Sequence, residues 1–244
     1  EDDIDARFLA LRCIGFCSFL NGDFDKAISE LTEVVCLNEK VNLDRIRKFY
    51  QADTKTIVQA MICWAHAWKR DIDSLKAAAG LVASHVDGSD DRWTNVYALT
   101  IVASAYQTIG DADTCCGYIE LARPIAQEID SDYWMGWLRV LSGWVNAVRD
   151  YPAMGIREIE EGIEIYRSTG SSQTLPYAKT LLAEALMIDK RLEEAHVLLD
   201  ELALHREPAE VRYVDVSVER LAEALKGQGQ LKLPENQAGM GSGQ

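Results

Sequence analysis

The chain has 244 residues, 48% hydrophobic and 26% charged, enough to bury a sizeable core in one large domain or one extended array. Its 25 Lys and Arg against 39 Asp and Glu give a formal charge of −14, which repels phosphate backbones and anionic lipid and argues against nucleic acid as a direct ligand. Apolar runs such as "IVQAMICWAHAW", Ile57 to Trp68, are broken by charge before the roughly 18 residues that a membrane span needs, so no span is expected.

Apolar residues recur with helical periodicity in runs joined by short polar turns, and period-2 strand patterns are almost missing, so the chain reads as all-α. The spacing predicts helices over 4–20, 24–38, 43–69, 72–86, 92–109, 112–129, 132–149, 152–168, 175–188, 191–205 and 209–226. In "LNGDFDKAISEL" and "TIGDADTCCGYI", a glycine able to close one helix in the left-handed conformation precedes an aspartate able to cap the next. Gly22, Gly110 and Gly170 are read as such closures, with Asp23, Asp71, Asp111 and Ser131 as caps. Pro152, Pro176 and Pro208 fall in first turns, where a missing N–H costs little; Pro124, inside helix 112–129, is expected to kink or restart it.

Aligning the second helices of the hairpins on Ala27, Leu75, Cys115, Gly155 and Ala195 gives spacings of 48, 40, 40 and 40. A fixed period in this range marks a solenoid whose hairpins bury their faces against their neighbours. The eight extra residues fall within Asn38–Thr56.

At this point the sequence resembles the tetratricopeptide repeat family. First helices carry a large then a small residue at Ile14-Gly15, Ile62-Cys63, Val102-Ala103, Ser142-Gly143 and Leu182-Ala183. Second helices match at Ala27, Cys115, Gly155 and Ala195, and again at Val34, Val82, Ala122, Gly162 and Leu202. The period of 40 instead of about 34, a large Leu75 at a small position and no regular closing proline mark a variant class. Tyr133 to Leu202 is similar to the long-helix arrays of bacterial signalling proteins, where an array follows a nucleotide cyclase, a signalling ATPase or a winged-helix domain.

The resemblance implies a right-handed α-solenoid of about five hairpins over residues 1–226. The repeats lie near 4–38, 43–86, 92–129, 132–168 and 175–205, with a capping helix at 209–226. It also implies that first helices line a concave face, turning Leu9, Phe16, Ile57, Trp64, Tyr97, Trp137, Trp144 and Tyr177 inward. Rigid aromatic side chains are common interface anchors, so this stripe is the candidate groove for an extended or helical peptide. If the longer helices wind the array tightly, the same stripe is core.

Signals for chemistry are sparse. Cys13, Cys17, Cys36, Cys63, Cys115 and Cys116 lie in apolar helical runs, the placement of reduced cytoplasmic thiols, and none belongs to a CxxC set. Adjacent Cys115 and Cys116 point about 100° apart on a helix, which disfavours a redox pair. His66, His85, His196 and His205 fall in separate repeats without a catalytic motif, and the acidic runs 87–91 and 158–164 lack a calcium-loop pattern. There is no phosphate-binding glycine loop, so no metal or cofactor is expected. The segment 227–244, rich in Gly and Gln, reads as a disordered tail or linker, and a start at Glu1 without a signal pattern reads as a fragment or processed product. The expectation is a cytoplasmic, non-catalytic interaction or regulatory module whose partner is a protein, a peptide or another domain of its parent chain. The alternative is an oligomerisation module that forms a homodimer through its end surfaces.

Overall fold

The computed structural model describes residues 3–50, 52–204 and 212–227. Twelve helices account for nearly all of them: α1 (Ile4–Leu20), α2 (Phe24–Leu37), α3 (Leu43–Tyr50), α4 (Thr54–Trp68), α5 (Ile72–Asp87), α6 (Arg92–Ile109), α7 (Ala112–Glu128), α8 (Asp132–Val148), α9 (Pro152–Ser168), α10 (Leu175–Ile188), α11 (Leu192–Leu204) and α12 (Asp215–Lys226). No described residue is in a strand, and no helix among the described residues is long and apolar enough to cross a membrane. Each helix packs mainly on neighbours in the chain: α1 on α2, α4 on α2, α5 and α6, α8 on α6, α7 and α9, and α10 on α8, α9, α11 and α12.

Local chemistry sets the helix ends. Gly22, Gly110 and Gly170 have φ near +80°, and equivalent turns use Arg70, Asp130, Asp150 and Lys190 at φ between 50° and 71°. Each of the five within-hairpin turns, at 22, 70, 110, 150 and 190, sits in the left-handed region, at intervals of 48, 40, 40 and 40 residues. The following N–H returns to a carbonyl of the last turn, as Asp71 N to His66 O, 3.0 Å, and Arg191 N to Leu186 O, 2.9 Å, satisfying groups that the helix end would orphan. Asp23, Asp71 and Asp111 then accept from the N–H of Lys26, Ser74 and Thr114. Ser131 makes no such bond; its backbone N–H is spent on Ala126 O.

Three expectations are corrected. Helix 43–69 is two helices, because Asp53 turns the chain and caps α4, accepting from Lys55 N and Thr56 Oγ1. The eight extra residues of the first interval thus supply α3, which is tied to α1 by Asp5, accepting from Asn42 N and Arg45, and by Arg12 over the Tyr50 ring. Secondly, α7 continues through Pro124 without a restart; Pro124 faces solvent, so water can reach the carbonyl that its missing N–H leaves free. Thirdly, Ser131 is no side-chain cap. The start of helix 209–226, with Pro208, lies outside the described residues, as does the tail from 228.

Small residues set the helix separations. A methyl at Gly143 would stand 2.6 Å from the Gly155 carbonyl oxygen, and one at Gly162 would stand 2.7 Å from that of Gly136, so α8 and α9 meet backbone to backbone at two places. Glycine is tolerated in mid-helix here because no side chain fits.

Candidate functional site

The residues of the aromatic stripe lie on the first helices and are withdrawn from solvent to different degrees. Ile57, Trp64, Trp137, Trp144 and Tyr177 are buried, with Trp137 only 6% exposed, while Leu9, Phe16 and Tyr97 are half-buried and packed against the core. Among the described residues the stripe is packed into or against the core and lines no open groove. Trp64 stands edge-on to Tyr177, ring centroids 5.3 Å apart, and lies 6.1 Å from Trp137. Its indole N–H donates to Thr108 Oγ1 at 2.9 Å, and the Tyr177 hydroxyl donates to Gln107 Oε1 at 2.6 Å. The polar tips of these two buried rings are thereby satisfied across hairpins, whereas the indole N–H groups of Trp134 and Trp137 find no side-chain or backbone acceptor among the described residues.

One member of this cluster has no warning in the sequence. Tyr213, just before α12, is 2% exposed and inserts its ring among Phe19, Trp64, Trp68 and Tyr177. The backbone N–H groups of Arg212 and Tyr213 both donate to Leu20 O, at 2.7 and 3.1 Å. The segment that leads into α12 therefore closes against the end of α1, and the first and last parts of the described chain share one core.

Beside the rings lies a charged centre. Glu184 occupies the same inward row as Trp64 and Trp144 and is 3% exposed. Arg220 of α12 reaches it, Nη2 to Oε2 3.6 Å. Burial raises the Glu184 pKa above its ordinary value, against the pull of Arg220, the Trp144 indole and Arg70. These groups, with Thr108, Thr180 and Ser217, line a cavity of about 50 Å³, room for a few waters. The Glu184–Arg220 pair links α10 to α12, with Arg70 lining the same cavity, and no cysteine or histidine is among the residues that line it.

The remaining candidates are scattered. Cys63 and Cys115 are buried, and burial pushes the Cys63 thiol up to about 12, far from a reactive thiolate. Cys115 and its neighbour Cys116 face different surroundings, Cys116 lying near Arg149 and Glu120. His66 sits by the cap Asp71 at 3.2 Å, and burial lowers its pKa; His205 lies outside the described residues. In the acidic runs, Asp91 caps α6, Glu158 accepts from Asn146 and Glu161 pairs with Arg139. Among the described residues no three His, Cys, Asp or Glu side chains are placed to hold a metal ion.

No protein-family model matches the sequence, and searches of curated proteins and of solved structures return no match.

Proposed function

We propose that the chain is a non-catalytic interaction module of the tetratricopeptide kind, a right-handed stack of five hairpins closed by α12. Its partner is a protein, or another domain of a bacterial signalling or transcription-regulatory protein in the cytoplasm. The observation that carries this reading is the return of a left-handed turn residue at 22, 70, 110, 150 and 190, each joining a helix pair that packs on the next. Such a unit repeats its surface along with its core, and repeated surface is what these arrays use for docking. With the aromatic stripe inside, docking falls to the outward faces of the second helices. Glu184 and Arg220 support the same view, since they tie α12 to α10.

Light scattering tests the reading against an oligomerisation module. A monomer across the micromolar range, with its surface free for a partner, is the expected result. A stable dimer at the lowest measurable concentration would replace the interaction module by a homodimerising one.

A further inference from the structure

At one equivalent position the five first helices hold Phe16, Trp64, Ser104, Trp144 and Glu184, and only the last is charged. An apolar side chain of similar size would pack there at less cost than a buried carboxylate. Glu184 is nevertheless 3% exposed, and its one ion pair among the described residues, with Arg220 of α12, spans 3.6 Å. A close guanidinium–carboxylate bond is shorter, at about 2.7 to 2.9 Å. Helix docking alone is a weak reason for this carboxylate.

The ionisable side chains that line the adjoining cavity are Arg70, Glu184 and Arg220, so two guanidiniums share one carboxylate. Arg70, in the turn between α4 and α5, forms no ion pair among the described residues; partial burial and the neighbouring Arg220 charge lower its pKa, against the pull of Glu184. Arg70 is exposed and the Arg220 side chain is 38% exposed, which puts the cations at the mouth and the carboxylate on the floor. Two polar groups of lining residues are also unspent among the described residues: the Ser217 hydroxyl makes no hydrogen bond, and the Trp68 indole N–H has no acceptor.

These groups define their complement. A monocarboxylate supplies the one negative charge that the guanidinium pair lacks, and its two oxygens match their forked donors. Glu184 repels a plain anion but accepts a hydrogen bond, so a hydroxyl on the neighbouring carbon turns the floor from an obstacle into a partner. The chain's −14 charge opposes anions at a distance, where salt screens it beyond about 10 Å. The cavity of about 50 Å³ takes a few waters, which a molecule of about five or six non-hydrogen atoms replaces.

We infer that the cavity between α10, α12 and the α4–α5 turn binds a small hydroxycarboxylate of two or three carbons, its carboxylate between Arg70 and Arg220 and its hydroxyl on Glu184. Such a ligand joins the second hairpin to α12 and gives the module a small-molecule input. The inference goes beyond the interaction-module reading, which survives its failure.

Saturation-transfer NMR on the full chain, at pH 8 and constant ionic strength, tests it with lactate, acetate and glycine as probes and phosphate as competitor. Lactate is expected to bind in the millimolar range, with acetate, which lacks the hydroxyl, and glycine, which lacks the net charge, at least about fivefold weaker. Arg70→Gln breaks no ion pair, so it should keep the wild-type melting curve while lactate binding weakens about tenfold or more. Glu184→Gln should tighten acetate and shrink the preference for lactate, the opposite of what a damaged fold would do. Ser217→Leu fills the cavity without changing its charge and should abolish binding. No lactate signal up to tens of millimolar, lactate no better than acetate, or wild-type binding by Arg70→Gln or Ser217→Leu each overturns the site. Phosphate that displaces lactate at equal concentration, with acetate its equal, would mean an adventitious ion only.

Discussion

Hairpins α6–α7 and α8–α9 are built on one register and put it to opposite uses. In α8–α9, Gly143 against Gly155 and Gly136 against Gly162 bring the backbones into contact, and Arg139–Glu161 closes the outer seam. In α6–α7 the same positions hold Ala103 and Cys115, fully buried, and the seam is left to Leu99 and Leu121. The first pair is sealed on both sides; the second is packed inside and apolar outside. A repeat thus fixes where a side chain points, while the residue placed there decides whether the position brings backbones together, closes an ion pair or leaves an apolar seam.

The contrast can be broken hardest at the inward face. Trp137→Ala in α8 removes a ring buried among Trp64, Trp134 and Tyr177 and should cost about 3 to 5 kcal/mol in chemical denaturation. Tyr97→Ala, at the matching place in α6, starts from a half-buried ring and should cost clearly less. Equal losses would mean that the two inward faces are equally packed.

Next in size is the helix spacing. Gly143→Leu should cost about 3 kcal/mol, the upper end of ordinary overpacking, because the obstacle is the Gly155 carbonyl and the backbone of Ile159, neither of which can rotate away. Ala103→Gly in α6 should cost only about 1 kcal/mol, mostly helix propensity. Neutral thermal unfolding of Gly143→Leu would show that α8 and α9 do not meet at these glycines.

Where the chain punctuates itself, the sequence is readable: Asp23, Asp71 and Asp111 announce their helices, and the glycines at 22, 110 and 170 announce the turns. Arg70, Asp150 and Lys190 adopt the same backbone without any such mark, their turns closed by backbone bonds alone, from the N–H groups of Asp71, Tyr151 and Arg191 to carbonyls of the preceding helix. Asp53 breaks a continuous apolar pattern by one side-chain cap, too local a device for periodicity to reveal. The stripe was legible as a face but not as an interior, since period 3.6 tells which side is apolar and says nothing of how far the chain curves round it. Tyr213 was illegible altogether: its place depends on Phe19 and Trp64, far away in sequence.

The inward row also supplies a pH effect. It carries Trp144 in α8, Ser104 in α6 and, in α10, the buried Glu184. Because the folded-state pKa of Glu184 is raised above 4.5, the native chain holds this proton at pH values where the unfolded chain has released it. Its contribution to stability is therefore full below the unfolded pKa and is lost as pH rises through the folded one. Glu184→Gln should flatten the fall of unfolding free energy with pH across that window, measured as the difference between variant and wild type so that other carboxylates cancel. An unchanged slope would place water, and not burial, around the carboxylate.

The smallest expected effect tests the turns that the two hairpins share. Gly110 closes α6 at φ 85° without steric cost, whereas Asp150 after α8 and Lys190 after α10 hold φ 71° and 65° with a side chain attached. A left-handed conformation costs an ordinary residue about 1 to 2 kcal/mol, and glycine gives back roughly half of that in unfolded-chain entropy. Lys190→Gly should accordingly stabilise the chain by about 0.5 to 1 kcal/mol, and Asp150→Gly by less, because aspartate tolerates this region better than lysine. The reverse change, Gly110→Lys, should lose about as much as Lys190→Gly gains. If Lys190→Gly instead destabilises, the lysine makes a compensating contact that outweighs its backbone, and the left-handed turn at 190 is held by its side chain and not in spite of it.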